Sequence, residues 1–138
     1  MKRNLTLVIL CLAALAGIAC SRQSEEANEI VIGEYGSLTG TTATFGLSTK
    51  NGIDLAIDEV NKAGGVLGKQ IRVIVEDDQG RPEEAQTVVT KLITRDRVVA
   101  LLGEVASSRS LAAAPVAQQN KIPMITPSST NPKVTQIG

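Results

Sequence analysis

Two short hydroxyl clusters carry the clearest chemistry in this 138-residue sequence: Ala106-Ser107-Ser108 and Ser128-Ser129-Thr130. A hydroxyl beside the exposed N–H groups of a helix start can bind a carboxylate without a formal positive charge. Ser and Thr hydroxyls also accept from an ammonium, so the two clusters together suit a zwitterion. Each has a plainer reading as well. Ser107 or Ser108 caps the helix that follows, and Thr130 stabilises a turn. Asp77-Asp78 could bind a metal or accept a phosphoryl group, but the neighbouring loops supply neither the further carboxylates nor the Lys such a site needs. They read as solvated loop carboxylates.

Composition excludes several other chemistries. The sequence has no His, which removes imidazole metal sites and Ser-His catalysis from these residues. Tyr35 and Phe45 are the only aromatic residues, leaving little on which bases or sugars could stack. Gly33, Gly36 and Gly40 have the wrong spacing for a dinucleotide fingerprint, and no Lys-Ser/Thr pair follows a Gly-rich turn. No nucleophile has a base beside it. Catalytic residues, metal ligands and cofactors are therefore not expected. Fourteen basic and 14 acidic side chains leave no charge excess to favour nucleic acid or an anionic surface.

Strands and helices in alternation must position the clusters. Ile30-Val31-Ile32 lies in a strand predicted over Glu29–Tyr35, followed by a loop from Gly36 to Phe45. A helix is expected from Gly46 to Ala63, with Ile53, Ile57 and Val60 on one stripe and Gly64-Gly65 ending it. Ile71, Val73 and Val75 mark a second strand ending at Asp77-Asp78. Pro82 suits a first helical position, Glu83 and Glu84 favour the first turn, and Ala85, Val88, Val89 and Leu92 form a buried stripe. A third strand is expected at Val98–Leu102, a loop at Gly103–Ser108, a helix at Leu111–Gln119 despite Pro115, and a fourth strand at Pro123–Ile125. The order β-α-β-α-β-α-β argues for an α/β fold, a parallel sheet with helices on both faces. Ligands gather at the carboxyl ends of such strands, where both hydroxyl clusters fall.

Residues 1–19 read as a signal peptide. Lys2 and Arg3 precede an apolar run from Leu5 to Ala16, broken only by Thr6, which is shorter than the roughly 20 residues a membrane-spanning helix needs. Leu15-Ala16-Gly17-Ile18-Ala19-Cys20 resembles a bacterial lipobox, with Gly17 where the pattern prefers Leu. Cleavage after Ala14-Leu15-Ala16 is the rival, and it would leave Cys20 an unpaired exposed thiol in an oxidising compartment. Cys11 lies inside the apolar run and cannot pair with it. Lipidation of Cys20 accounts for the lone mature Cys. Residues 20–28 then form a flexible tether, and residues 29–138 a partial N-terminal ligand-binding lobe.

From Ile30 to Gly138 the sequence resembles the periplasmic leucine/isoleucine/valine-binding family, the receptors of branched-chain amino-acid ABC transporters. The matching pieces are Gly36-Ser37-Leu38-Thr39-Gly40 with Phe45-Gly46, Gly52-x-x-Leu55-Ala56, and Glu59-x-Asn61-x-x-Gly64-Gly65. Asp77-Asp78, Pro82-x-x-Ala85, Gly103-x-x-x-Ser107-Ser108 and Ala114-Pro115 follow, then Pro123-x-Ile125 through Pro127-Ser128-x-Thr130-x-Pro132. The resemblance implies a two-lobe fold closing on a solute, with the first lobe present here and the second absent. It implies that Ser107 binds the solute carboxylate, and that the Ser128 carbonyl and Thr130 hold the ammonium and carboxylate. Phe45 would line the side-chain pocket, with Val105, Ala106, Ser108 and Ser129 alongside. The implied partners are a small solute, ABC permease subunits and, through the anchor, a membrane. Neither ATP nor a cofactor is implied for this chain, and no nucleic acid. A ligand-sensing receptor of the same fold, for an amide, urea or another small polar ligand, is the alternative. With one lobe only, the chain by itself is expected to bind solute weakly or not at all.

Overall fold

Strand β1 (Glu29–Gly36) and strand β2 (Gln70–Asp77) run parallel in unbroken register, from Glu29 opposite Gln70 to Gly36 opposite Asp77. Strand β3 (Leu101–Leu102) pairs with the other side of β1, and β4 (Met124–Ile125) with β3. The sheet order is β2-β1-β3-β4, all parallel. This computed structural model describes residues 28–137. The expected signal segment, Cys20, tether residues 21–27 and Gly138 lie outside the described residues. Among the described residues no helix is long and apolar enough to cross a membrane.

Period-two alternation divides the sheet into two faces. Val31, Tyr35, Ile74, Leu101 and Met124 pack on one side against helix α2 (Pro82–Thr94) and helix α3 (Ser107–Gln119). The core holds the expected stripe Ala85, Val88, Val89 and Leu92, joined by Val98, Ala113 and Ala117. Gly33 lets that packing close. A Cβ there would stand 3.0 Å from both Leu101 and Leu92. The opposite face carries Ile32 and Glu34 and faces helix α1 (Ala43–Lys62), from which Lys50 and Asp54 act on Glu34. On that side Ile125 is 68% exposed.

Several boundaries differ from those expected. Helix α1 starts at Ala43 rather than Gly46, because the turn at Gly40 (φ 80°) lets Ala43 N–H bond Gly40 O, and Phe45 N–H then bonds Thr42 O. Phe45 therefore belongs to the first helical turn and not to the loop. Helix α3 likewise starts at Ser107, four residues before Leu111, so the preceding loop spans only residues 103–106. Pro115 sits inside α3 without ending it; the missing N–H leaves one carbonyl of the preceding turn without its helical donor. The third and fourth strands shrink to two residues each, although Val99 N–H bonds Val31 O and Leu101 N–H bonds Pro123 O just outside them.

Gly64 and Gly65 end α1 as expected, both at positive φ, with Gly65 N–H bonded to Val60 O. A 3-10 helix (Pro132–Gln136) closes the described chain. The Asn131 side chain caps it by accepting from Lys133 N–H. Between this segment, α3 and the outer edge of β4 lies an open groove of about 570 Å³, its apolar walls formed by Ala114, Ala117, Ile122, Met124, Ile125 and Val134.

Candidate functional site

The chain leaves β1 for β2 on one side and later returns to β3 on the other. The loops after β1 and β3 therefore part at the carboxyl edge, and a crevice opens between them. All four strand-end loops lie on this edge: residues 37–42, 78–81, 103–106 and 126–131. The groove along β4 reaches this edge at the last loop, through Thr126, Ser129, Thr130 and Asn131. Ser107, Ser108 and Ser128 lie at the open edge outside that groove, while Ser129 and Thr130 border both.

The two predicted clusters meet. Ser107 is the first residue of α3, and Ala106 occupies the cap position without a side-chain bond, so neither Ser107 nor Ser108 caps the helix through its hydroxyl. Instead Ser107 Oγ accepts from the Thr130 and Asn131 amides, each at 3.1 Å. Ser128 Oγ donates to Val105 O at 3.0 Å. Ser129 Oγ turns inward, donating to Glu104 O at 2.9 Å and lying 2.7 Å from Ser110 Oγ. Ser108, Ser128 and Thr130 are exposed, while Val105, Ala106 and Ser107 are half-buried. Phe45 stands 65% exposed on α1, and the loop before that helix joins Glu104 through Ser37 and Asp77 through Leu38 and Thr39.

Arg109 N–H and Ser110 N–H both bond back to Ala106 O. The amides of Ser107 and Ser108 precede the first helical bond and have no acceptor within the helix. They form an anion-compatible end with no basic side chain exposed beside it. The first turn of α3 is free of acidic residues too. A carboxylate can be met here by amides and hydroxyls alone.

Beneath this edge lies a buried polar ring whose assembly the sequence did not reveal. Glu104 is 1% exposed; its Oε1 accepts from Ser37 N–H at 3.2 Å and Ser37 Oγ at 2.9 Å, and its Oε2 from Ala106 N–H. Arg109 Nε lies 3.0 Å from Glu104 Oε2, a close ion pair in which the N–H is not aimed at the oxygen. Arg109 Nη1 reaches Gly80 O, and Gly80 N–H donates to Asp78 Oδ1. Ser37 Oγ, 3.1 Å from Asp78 Oδ1, completes the circuit. That hydroxyl has one proton and two carboxylate neighbours.

Burial pushes the Asp78 carboxyl above its ordinary range. The Gly80 amide opposes the rise, and the nearby Glu104 charge adds to it. Asp78 is fully buried, which corrects its reading as a solvated loop carboxylate. Asp77 is no free carboxylate either. It accepts from the amides of Leu38, Thr39 and Gln79 and from Thr39 Oγ1. Partial burial alone would raise its carboxyl, but these bonds together hold it below the usual range. No three His, Cys, Asp or Glu side chains among the described residues group to hold a metal ion.

A family model described as periplasmic binding protein matches residues 29–136. The chain belongs to that family. An amino acid binding protein of Pseudomonas aeruginosa is 37% identical over 110 residues, covering 80% of this chain and 29% of the relative. A leucine-, isoleucine-, valine-, threonine- and alanine-binding protein of the same organism is 34% identical over 138 residues, covering 100% of this chain and 37% of the relative. Among solved structures, the branched-chain amino acid transporter substrate binding protein LivJ of Streptococcus pneumoniae, in complex with isoleucine, superposes with a TM-score of 0.76. It is 37% identical, over 78% of this chain and 31% of that one. The chain thus spans about a third of the length of these relatives. The sheet and its three helices are one lobe of a type I periplasmic-binding-protein fold, as the sequence resemblance implied.

In this binding-protein lobe the overlooked residues are Glu104 and Arg109, whereas Asp78 reads as solvated in the sequence and Ser37 stands there only within a matching segment. Two signals point to them. Glu104 directly follows the apolar Val98–Leu102 run and Gly103, and Arg109 stands two residues into a helix whose other inward positions are small. Neither signal says what partner a charge would find.

Proposed function

We propose that this chain is the first lobe of an extracytoplasmic solute-binding protein serving an ABC importer, and that its carboxyl-edge loops take the α-amino and α-carboxylate groups of a branched-chain or related amino acid. The observation that carries this reading is the joining of Ser107 to Thr130 and Asn131, which sets hydroxyls and free helix-start amides side by side. The names of the similar proteins support the solute class, and the mostly neutral lining supports a zwitterion over a polyanion. Ser107 with the Ser107 and Ser108 amides receives the carboxylate; the Ser128 carbonyl and Thr130 hydroxyl receive the ammonium. Phe45, Val105 and Ala106 border the space left for an aliphatic side chain. Ser129 contributes by holding Glu104 O rather than by touching solute. A second lobe closing over the edge would shift the population toward a shut state with solute between the lobes. Export precedes this role, with cleavage before Cys20 and a lipid anchor on its sulfur.

The test is an amide-resolved NMR titration of the chain with leucine, isoleucine and valine. Shifts confined to residues 103–108 and 126–131, saturating only at millimolar solute, are expected of a single lobe. No perturbation of these residues by any α-amino acid would overturn the reading, and micromolar saturation would overturn the expectation of weak binding. Intact mass of the mature protein checks the anchor: a Cys20 without diacylglycerol removes it.

A further inference from the structure

Glu104 reaches all four loops of the carboxyl edge. Its carboxylate holds Ser37 after β1 and Ala106 in its own loop after β3. Its carbonyl accepts from Ser129 after β4 and from Ser110, while its N–H donates to Ser110 Oγ at 3.3 Å. Through Arg109 it reaches Gly80 after β2. An apolar side chain could fill this crevice without the desolvation that a carboxylate and a guanidinium both suffer on burial. What it could not do is accept from three donors at once and so set the peptide plane of Ala106. The Ala106 N–H belongs to the Val105–Ala106 peptide, one residue before Ser107.

We propose that Glu104 is a positioning residue for the solute site: by bonding the Ala106 and Ser37 amides while paired to Arg109, it fixes the angle at which the start of α3 faces the solute carboxylate. This rests on the solute-binding reading of Ser107 and Thr130. Arg109 offsets the carboxylate charge, which would otherwise repel the bound anion. The Gly80 carbonyl, whose own N–H is held by Asp78, keeps the guanidinium on the β2 side of the crevice.

Glu104→Gln keeps the size of the side chain and replaces one acceptor oxygen with a donor, setting N–H against N–H at either Ala106 or Ser37. In the whole chain, hydrogen exchange of the Ala106 and Thr130 amides is expected to speed by about tenfold, the loss of one charge-assisted hydrogen bond. Leucine-induced shifts at Ser107 should need about tenfold more solute, for the same reason. Val88→Ala, a core change far from the edge, serves as the stability control and should move neither readout. Unchanged Ala106 exchange in Glu104→Gln overturns the proposal, and so does the same acceleration in Val88→Ala. If Glu104→Gln does not fold, Glu104→Asp decides. It keeps the charge but is one methylene shorter and withdraws the carboxylate from the Ala106 amide, and an Ala106 amide no faster than in the parent chain again overturns the proposal. The exchange readout needs no solute. Absence of leucine-induced shifts in the parent chain would refute solute binding while leaving the positioning of Ala106 separately decided.

Discussion

Glu34 offers a quantitative check on the packing of the sheet. It lies near the end of β1 on the face toward α1, 3% exposed, and its Oε2 finds no hydrogen-bond partner among the described residues. Burial pushes its carboxyl from the ordinary 4.5 up to about 7; Lys50 opposes the rise and Asp54 adds to it. Because the folded value lies above the unfolded one, the favourable contribution is complete below about pH 4.5 and is lost as the pH climbs through about 7. At roughly 1.4 kcal/mol per pH unit, the full cost above that window is about 3 kcal/mol. Glu34→Gln stays neutral throughout and should recover most of it, provided its amide hydrogens reach Asp54 or water. Urea denaturation of both chains near pH 4.5 and near pH 8.5 measures this. The variant should match the parent in acid and exceed it in base. Asp78, also raised, adds a slope of the same sign to both chains, so the comparison rests on their difference. A constant gap between the two across the whole pH range would refute the assignment of this carboxyl to a buried, unpaired site.

Other perturbations probe different links. Gly46→Ala places a Cβ 2.0 Å from Ser37 O, so either the start of α1 or the β1 loop must move; a loss of about 2 kcal/mol or more in chemical denaturation is expected. Leu92→Ala empties the centre of the α2–α3 face and should cost about 2–5 kcal/mol in the same assay. Ser107→Ala removes the acceptor shared by two amides, and at this half-open position the stability loss should stay near 1 kcal/mol as water takes over. Its larger effect should be on exchange at Thr130 and Asn131, followed by NMR.

Helix α2 was legible almost to the residue because three independent signals coincide there: Pro82 at its start, acidic residues in its first turn, and an apolar stripe that is all buried. Helix α1 was harder to bound, since Ala43, Thr44 and Phe45 have no periodic signature and join the helix only because the Gly40 turn aims them into it. Strands β3 and β4 were legible as short apolar runs but not as two-residue ladders, because pairing length depends on neighbours that no local pattern reveals. The hydroxyl clusters could be found from composition and position. Their mutual bonding could not, since Ser107 and Thr130 come together only through the sheet order. Glu104 was the least visible of all. A carboxylate after a strand looks the same in sequence whether water or Ser37 receives it, and Ser37 lies 67 residues away.

The central place of β1 also dictates how the lobe must be assembled. It is the first strand of the lobe to be synthesised, yet neither edge has a local partner: Glu29 waits for Gln70, and Gly33 for Leu101. Every strand pairing therefore closes a long loop, which slows the search for the native topology. The run Ile30-Val31-Ile32 stays unpaired for as long as that search lasts. Until then the chain must keep this β-branched segment from meeting its counterpart on another molecule, because β1 has two edges to satisfy and offers its longer ladder on the side that pairs with β2.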